Sequence, residues 1–101
     1  MRQIALKKNE RVIIAAILNQ YVPYHAVYAF GSRVTGHEKP FSDLDLFILS
    51  DEPLPVLTLY SLSTALDESM LPFKVDLLDS TAVSPTFRKQ IEKEWVLFQP
   101  S

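Results

Sequence analysis

The chain has 101 residues, of which 48% are hydrophobic, and this length and composition suit one small domain with one core rather than a disordered segment. The formal net charge of −2 argues against broad electrostatic binding to nucleic acid, and the absence of cysteine excludes disulfides, thiolate metal sites and a thiol nucleophile. We therefore expect a single domain over residues 1–101 with no direct contact to nucleic acid.

A short apolar run over residues 12–18 follows a basic N-terminal stretch. It resembles the core of a signal peptide, but it ends in two polar residues, no small-x-small cleavage pattern follows, and it is too short to span a membrane. We therefore expect a cytoplasmic protein. The run fits a first helix over about residues 8–21, capped by Asn9 and ended by Pro23. One apolar face of this helix is formed by Ile14, Ile17, Leu18 and Tyr21.

Two strands are predicted next, over residues 25–30 and 43–49, because both segments are rich in residues that favour strands. Residues 31–41 contain glycine and proline and are predicted to form a turn and a loop. A parallel crossover needs a dozen or more residues, so this link is too short for one. We therefore expect the first two strands to pair in antiparallel orientation.

The second half of the chain predicts a helix, a strand and another helix, over about residues 55–69, 73–78 and 85–94. A helix between two strands permits a right-handed parallel crossover. Ser84 is the expected N-cap of the last helix, and residues 95–98 are expected to pack on the body as an apolar tail. The predicted fold is α/β (α+β): a small mixed sheet of about three strands flanked by helices, in the order αββαβα.

Two carboxylates, Asp43 and Asp45, stand one residue apart at the start of the second strand. Side chains in a strand alternate between faces, so both point the same way and repel each other. A hard cation such as Mg²⁺ removes this repulsion and takes oxygen ligands together with substrate phosphate. The turn at Gly31 and Ser32 suits those phosphates, since glycine allows close approach of the backbone and serine offers a hydroxyl and an N–H.

A third carboxylate joins this pair if the third strand lies beside the second. Asp76 then stands next to Asp43 and Asp45, whereas Asp79 has the opposite strand parity and ranks second. An ordinary surface acid at the end of a strand is the alternative interpretation of Asp76.

The spacing of Gly31-Ser32, ten intervening residues and Asp43-Leu44-Asp45 resembles the signature of the DNA polymerase β-like nucleotidyltransferase superfamily. The short chain is similar to the minimal nucleotidyltransferases of that superfamily, many of which are antitoxins paired with HEPN-domain toxins. The resemblance implies the polymerase β-like core and two Mg²⁺ ions held by Asp43, Asp45 and Asp76. It also implies ATP as substrate, transfer of AMP to a hydroxyl, and a tyrosine of a cognate HEPN ribonuclease toxin as acceptor, with a hetero-oligomer of the two proteins.

Four residues are candidates for binding nucleotide or phosphate: Gly31, Ser32, Arg33 and Ser42. Arg33 can pair with a triphosphate oxygen or be a solvated loop residue, and Ser42 can serve the carboxylates or a turn. Many minimal nucleotidyltransferases have a second arginine where this chain has Thr35. This departure favours one alternative function, an antitoxin that neutralises its toxin by binding alone. A second alternative is a nucleotidyltransferase that modifies a small molecule such as an antibiotic, although such enzymes usually carry an extra helical domain.

Overall fold

A four-stranded sheet is the centre of the structure, a computed structural model that describes residues 2–101. The strands are β1 (Val27–Phe30), β2 (Leu44–Ile48), β3 (Val75–Asp79) and β4 (Val96–Gln99). The α-helices are α1 (Lys8–Tyr21), α2 (Ser32–Thr35), α3 (Val56–Asp67) and α4 (Pro85–Glu92), and a 3₁₀ turn covers Ser80–Ala82. Within residues 2–101, no helix has the length and apolarity needed to cross a bilayer.

The strand order is β3-β2-β1-β4. Strand β1 is antiparallel to both of its neighbours, β2 and β4, and β2 is parallel to β3. The predicted orientations of the first three strands are therefore confirmed. The short loop between β1 and β2 allows only antiparallel pairing, and α3 supplies the crossover that parallel pairing requires.

The alternation along β2 gives the sheet two different faces. Leu44, Leu46 and Ile48 are fully buried and join the main core with residues of α1 and α3. Asp45 and Phe47 point to the opposite face, where Arg88 of α4 lies over the Phe47 ring, 5.9 Å from its centroid. The opposite face therefore carries both the acidic side chains and the packing of α4.

Helix α1 has the predicted bounds and the predicted apolar face, with Ile14 and Leu18 fully buried. The predicted N-cap, Asn9, is wrong because Asn9 lies inside the helix. Lys7 occupies the N-cap position, and its backbone N–H donates to the Glu10 carboxylate over 2.8 Å. A glutamate at the third helical position thus satisfies a free amide at the start of the helix, as in a capping box.

Helices α3 and α4 are both shorter than predicted. Leu62 and Leu66 bury one face of α3, whereas Val56, Leu57 and Tyr60 remain exposed on its outer face. The predicted cap of α4 is confirmed, because the Ser84 hydroxyl oxygen accepts the Phe87 N–H over 3.1 Å.

The predicted apolar tail is partly a fourth strand, β4, which pairs with the free edge of β1. Trp95 precedes it and stacks on Tyr28 of β1, with ring centroids 3.8 Å apart and an interplanar angle of 12°. The Gln99 side-chain amide donates to the carbonyl oxygens of Val22 and His25 over 2.8 and 2.9 Å. These contacts hold β4 against the sheet along its length.

Candidate active site

The turn after β1 has a backbone that only glycine adopts easily. Gly31 has φ +84° and ψ −158°, and α2 begins at the next residue. A Cβ atom at Gly31 would collide with the carboxylate oxygen Oδ2 of Asp45. The Gly31 turn and the Asp45 carboxylate are thus packed directly against each other, as the sequence motif requires.

The three predicted carboxylates lie on neighbouring positions of the sheet. Asp45 and Asp76 are register partners on the parallel strands β2 and β3, so their side chains stand side by side on one face. Asp43 is exposed and comes directly before β2, two residues from Asp45. The structure therefore brings Asp76 beside the pair, as predicted.

The negative charge around Asp45 is only partly compensated. Burial, followed by repulsion from Asp76, Asp43 and Glu94, raises the pKa of Asp45 to about 6 from 3.8. Lys74 directly precedes β3, with its Nζ 3.5 Å from the Asp76 carboxylate. This ion pair is largely exposed and stabilises the acidic face only weakly.

The donor chemistry of this face fits Mg²⁺. Asp43, Asp45 and Asp76 offer oxygen atoms only, and repulsion among them is the electrostatic condition that a divalent cation relieves. Within residues 2–101, no three His, Cys, Asp or Glu side chains already converge in a geometry that holds a metal ion.

Arg33 does not face the phosphate turn, and its predicted role in phosphate binding is wrong for this structure. The side chain is 5% exposed and donates to the carbonyl oxygens of Ser42, Ala5 and Pro40 over 2.8, 2.7 and 3.1 Å. Its guanidinium also lies over the Phe73 ring, 3.9 Å from the centroid. A planar donor group with several carbonyl partners ties the loop before β2 to the N-terminal segment.

The remaining polar residues of the loop close turns. The Ser42 hydroxyl oxygen accepts the Lys39 N–H over 2.7 Å, which is the turn role left open by the sequence. The Thr35 hydroxyl donates to the Gly31 carbonyl oxygen over 3.3 Å. Ser32 is half-buried at the first position of α2, directly after the Gly31 turn. Of this group, Ser32 is the residue that directly follows the Gly31 turn.

Asp79, the second candidate for the third carboxylate, has a structural role. It ends β3 and pairs in register with Ile48, away from Asp45. Burial alone would raise its pKa, but hydrogen bonds from the Leu54 N–H and from the N–H and hydroxyl of Thr81 outweigh burial and lower the pKa. The structure therefore favours Asp76 over Asp79 as the third acidic residue of the site.

Glu94 contacts the site, although the sequence predicts it only as the last residue of a helix over about residues 85–94. Helix α4 ends at Glu92, and the Glu94 carboxylate Oε1 accepts the Gly31 N–H over 3.0 Å. The two residues are 63 positions apart, so no local pattern reveals this contact.

Comparisons with known proteins agree with this geometry. The sequence profile of the family described as "Polymerase beta, Nucleotidyltransferase" matches residues 13–100. The chain is 48% identical over 97 residues to a Haemophilus influenzae protein named "Probable protein adenylyltransferase MntA", covering 96% of this chain and 85% of that protein. A crystal structure of a toxin–antitoxin with AMP-PNP superposes with a TM-score of 0.75 at 25% identity, over 90% of this chain and 73% of that chain. A complex of tri-AMPylated Shewanella oneidensis HEPN toxin with MNT antitoxin shares the fold, with a TM-score of 0.67 at 24% identity, over 90% of this chain and 70% of that chain.

Proposed function

Because this chain belongs to the polymerase β nucleotidyltransferase family, we propose that it transfers AMP from Mg-ATP to a tyrosine hydroxyl of a cognate HEPN ribonuclease toxin. In this role it is an antitoxin of the cytoplasm that forms a hetero-oligomer with its toxin. The observation that carries the proposal is the in-register pair of Asp45 and Asp76 beside the Gly31 turn. The name of the Haemophilus relative and the nucleotide analogue in the similar toxin–antitoxin structure support the same activity.

Each acidic residue has a distinct task in the proposed reaction. Asp43 and Asp45 would hold two Mg²⁺ ions together with the triphosphate, and Asp76 would add its carboxylate beside Asp45. When bound, these ions lower the pKa of the attacking hydroxyl and steady the leaving pyrophosphate. The turn at Gly31 and Ser32 orients the phosphates through its backbone and the serine hydroxyl.

The proposed transfer forms one bond to the α-phosphorus of ATP and breaks another. The acceptor hydroxyl oxygen bonds to the α-phosphorus of ATP, and the bond from that phosphorus to the oxygen bridging to the β-phosphate breaks. Pyrophosphate leaves, AMP stays on the acceptor, and the Asp76 carboxylate takes the hydroxyl proton.

A second candidate function is an antitoxin that neutralises by binding alone. The observation that favours it is the position of Arg33, whose guanidinium is committed to three carbonyl oxygens and so is withdrawn from the phosphates. Thr35 stands where many family members have an arginine, and its hydroxyl donates to the Gly31 carbonyl oxygen, so neither Thr35 nor Arg33 brings a cation to the Gly31 turn.

ATP labelled at the α-phosphate separates the two functions. The wild type, a variant carrying both Asp43→Asn and Asp45→Asn, and an Asp51→Asn control would each be incubated with Mg²⁺ and lysate of the source organism. Asp51 is an exposed acid beyond the other end of β2, so it controls for the loss of surface charge. We expect a labelled protein band with the wild type and the control and none with the double variant.

Two results would contradict the catalytic proposal. Equal labelling by the double variant would show that Asp43 and Asp45 are dispensable for transfer. No labelling by any form, with the same small protein co-purifying with all three, would establish neutralisation by binding.

A further inference from the structure

Glu94 is the acidic residue of the site that the proposed reaction does not use. It follows α4, and its backbone is held firmly, since the N–H groups of Glu94 and Trp95 both donate to the Ile91 carbonyl oxygen over 3.1 and 2.9 Å. Ile91 is 2% exposed, and Trp95 stacks on Tyr28, three residues before Gly31. These contacts fix the backbone that places the Glu94 carboxylate at the end of β1.

The Glu94 carboxylate accepts a hydrogen bond from the backbone amide of Gly31, the residue of the turn that has no space for a side chain. The Gly31 N–H donates to Glu94 Oε1 over 3.0 Å, and the Asp45 carboxylate fills the space that a Cβ at Gly31 would take. Gly31 is therefore held between two carboxylates, one that binds its amide and one that fills the space of the missing side chain. Rotation of the Gly31 peptide would break the first contact and disturb the second.

We propose that Glu94 is a positioning residue for nucleotide binding, which fixes the Gly31 turn so that its backbone and Asp45 face the triphosphate together. This inference rests on the proposed function, because it assigns Glu94 to the nucleotide site of that reaction. The task needs a hydrogen-bond acceptor of the correct reach and does not need a negative charge. A charge at this position adds to the repulsion around Asp45.

Two conservative variants test separately the length and the charge of the Glu94 side chain. Glu94→Gln keeps an acceptor oxygen at the same reach and removes the charge, whereas Glu94→Asp keeps the charge and shortens the side chain by one methylene. Glu92→Gln is the matched control, since Glu92 lies at the end of the same helix and pairs with Arg88 at 3.0 Å on the exposed surface. The two Glu→Gln substitutions are isosteric and Glu94→Asp removes one methylene group, which favours folded proteins.

Two measurements are made on each folded variant. The first is the ¹H–¹⁵N spectrum of protein labelled only in glycine, which contains two backbone amide signals because the chain has two glycines. Gly31 reports the contact and Gly36 is the internal reference, assigned from the signal that disappears in Gly36→Ala. The second is the transfer reaction with the identified acceptor, with KM for ATP and kcat measured separately, and with binding of α,β-methylene-ATP and Mg²⁺ followed by calorimetry.

We expect Glu94→Asp to move the Gly31 signal, to leave the Gly36 signal in place, and to raise both KM for ATP and the analogue Kd by about tenfold with little change in kcat. Glu94→Gln and Glu92→Gln are expected to stay within about threefold of the wild type, since each retains the Gly31 contact. A purely structural role would lower stability without this selective rise in KM.

Four outcomes would overturn the inference. An unmoved Gly31 signal in Glu94→Asp would mean that the contact does not exist in solution. A moved signal with wild-type KM and Kd would make the contact structural, and a loss in Glu94→Gln with wild-type values in Glu94→Asp would assign the effect to charge. A wild type that neither binds the analogue nor transfers AMP would refute the proposed function, and with it the positioning role, whereas the other three outcomes leave that function intact.

Discussion

Replacing Asp45 with Asn should make the metal-free protein more stable at neutral pH while it abolishes transfer. Burial and like charges raise the pKa of Asp45 to about 6 from 3.8. Ionisation of Asp45 at neutral pH therefore lowers the free energy of unfolding. This difference corresponds to about 3 kcal/mol at about 1.4 kcal/mol for each pKa unit. Because Asp45 is partly exposed, solvent screening reduces the expected gain to about 1–2 kcal/mol.

The sign of the pH dependence follows from the direction of the shift. A raised pKa means that the folded state binds the proton more tightly, so the stabilisation from protonated Asp45 is full below about pH 4 and is lost as the pH rises through about 6. Asn carries no charge at either pH. The stability difference between variant and wild type should therefore grow between pH 4 and 6 and stay constant above pH 7.

Thermal unfolding with EDTA at pH 7.5 and at pH 4.5 measures this difference. At pH 7.5 the melting temperature of Asp45→Asn should exceed that of the wild type by about 5–10 °C. Most of the gap should disappear at pH 4.5, and Asp51→Asn should show no such gap. Added Mg²⁺ should stabilise the wild type and leave the variant unchanged. A variant that is less stable than the wild type at pH 7.5, or a gap that does not depend on pH, would refute the electrostatic reasoning.

Three further substitutions test other contacts. Gly31→Ala should reduce transfer by roughly 100-fold, because alanine is strained at the positive φ of this position and its Cβ would displace Asp45. Gly36→Ala has open space around the added Cβ, so it should lose only about 1 kcal/mol of stability and retain activity. Equal activities of the two variants would contradict the close packing of Gly31 against Asp45. Arg33→Lys should lower the free energy of unfolding by about 2–4 kcal/mol in urea, since one ammonium cannot replace a guanidinium with three carbonyl partners, and an unchanged midpoint would count against it. Asp79→Asn should cost about 1–3 kcal/mol at pH 7, and because its pKa is lowered this loss should shrink as the pH falls below about 4; a loss of transfer at full stability would place Asp79 in the site instead.

Patterns within a few residues predicted much of the fold. The apolar spacing of α1, the alternation of β2 and the Ser84 cap of α4 are all local, and each is present in the structure. The N-cap of α1 was missed because lysine is not a typical capping residue, and the acceptor is the Glu10 carboxylate three residues on. Strand β4 was missed because four residues after a tryptophan show no alternation, and its pairing with β1 is a tertiary contact.

The same distinction between local and distant contacts applies to the site. Asp43, Asp45 and Asp76 were accessible from strand parity and from the predicted parallel crossover. Arg33 was misjudged because its position beside Gly31 in the sequence says nothing about the carbonyl oxygens of Ala5 and Pro40, which only the folded loop brings together. Glu94 was missed for the corresponding reason, since its partner is 63 residues away.

The pairing of β1 with β4 also has a consequence for the order of folding. Strands β1 and β2 are close in sequence, whereas β4 must close a loop of most of the chain before it meets β1. Loop closure is slow when contacts are distant, so we expect the edge formed by β4 to assemble after the folding transition state. Substitutions at the Gly31–Glu94 contact should then accelerate unfolding with little effect on the folding rate. The carboxylates of β2 and β3 would be aligned early, and the site would become competent only when the last strand docks.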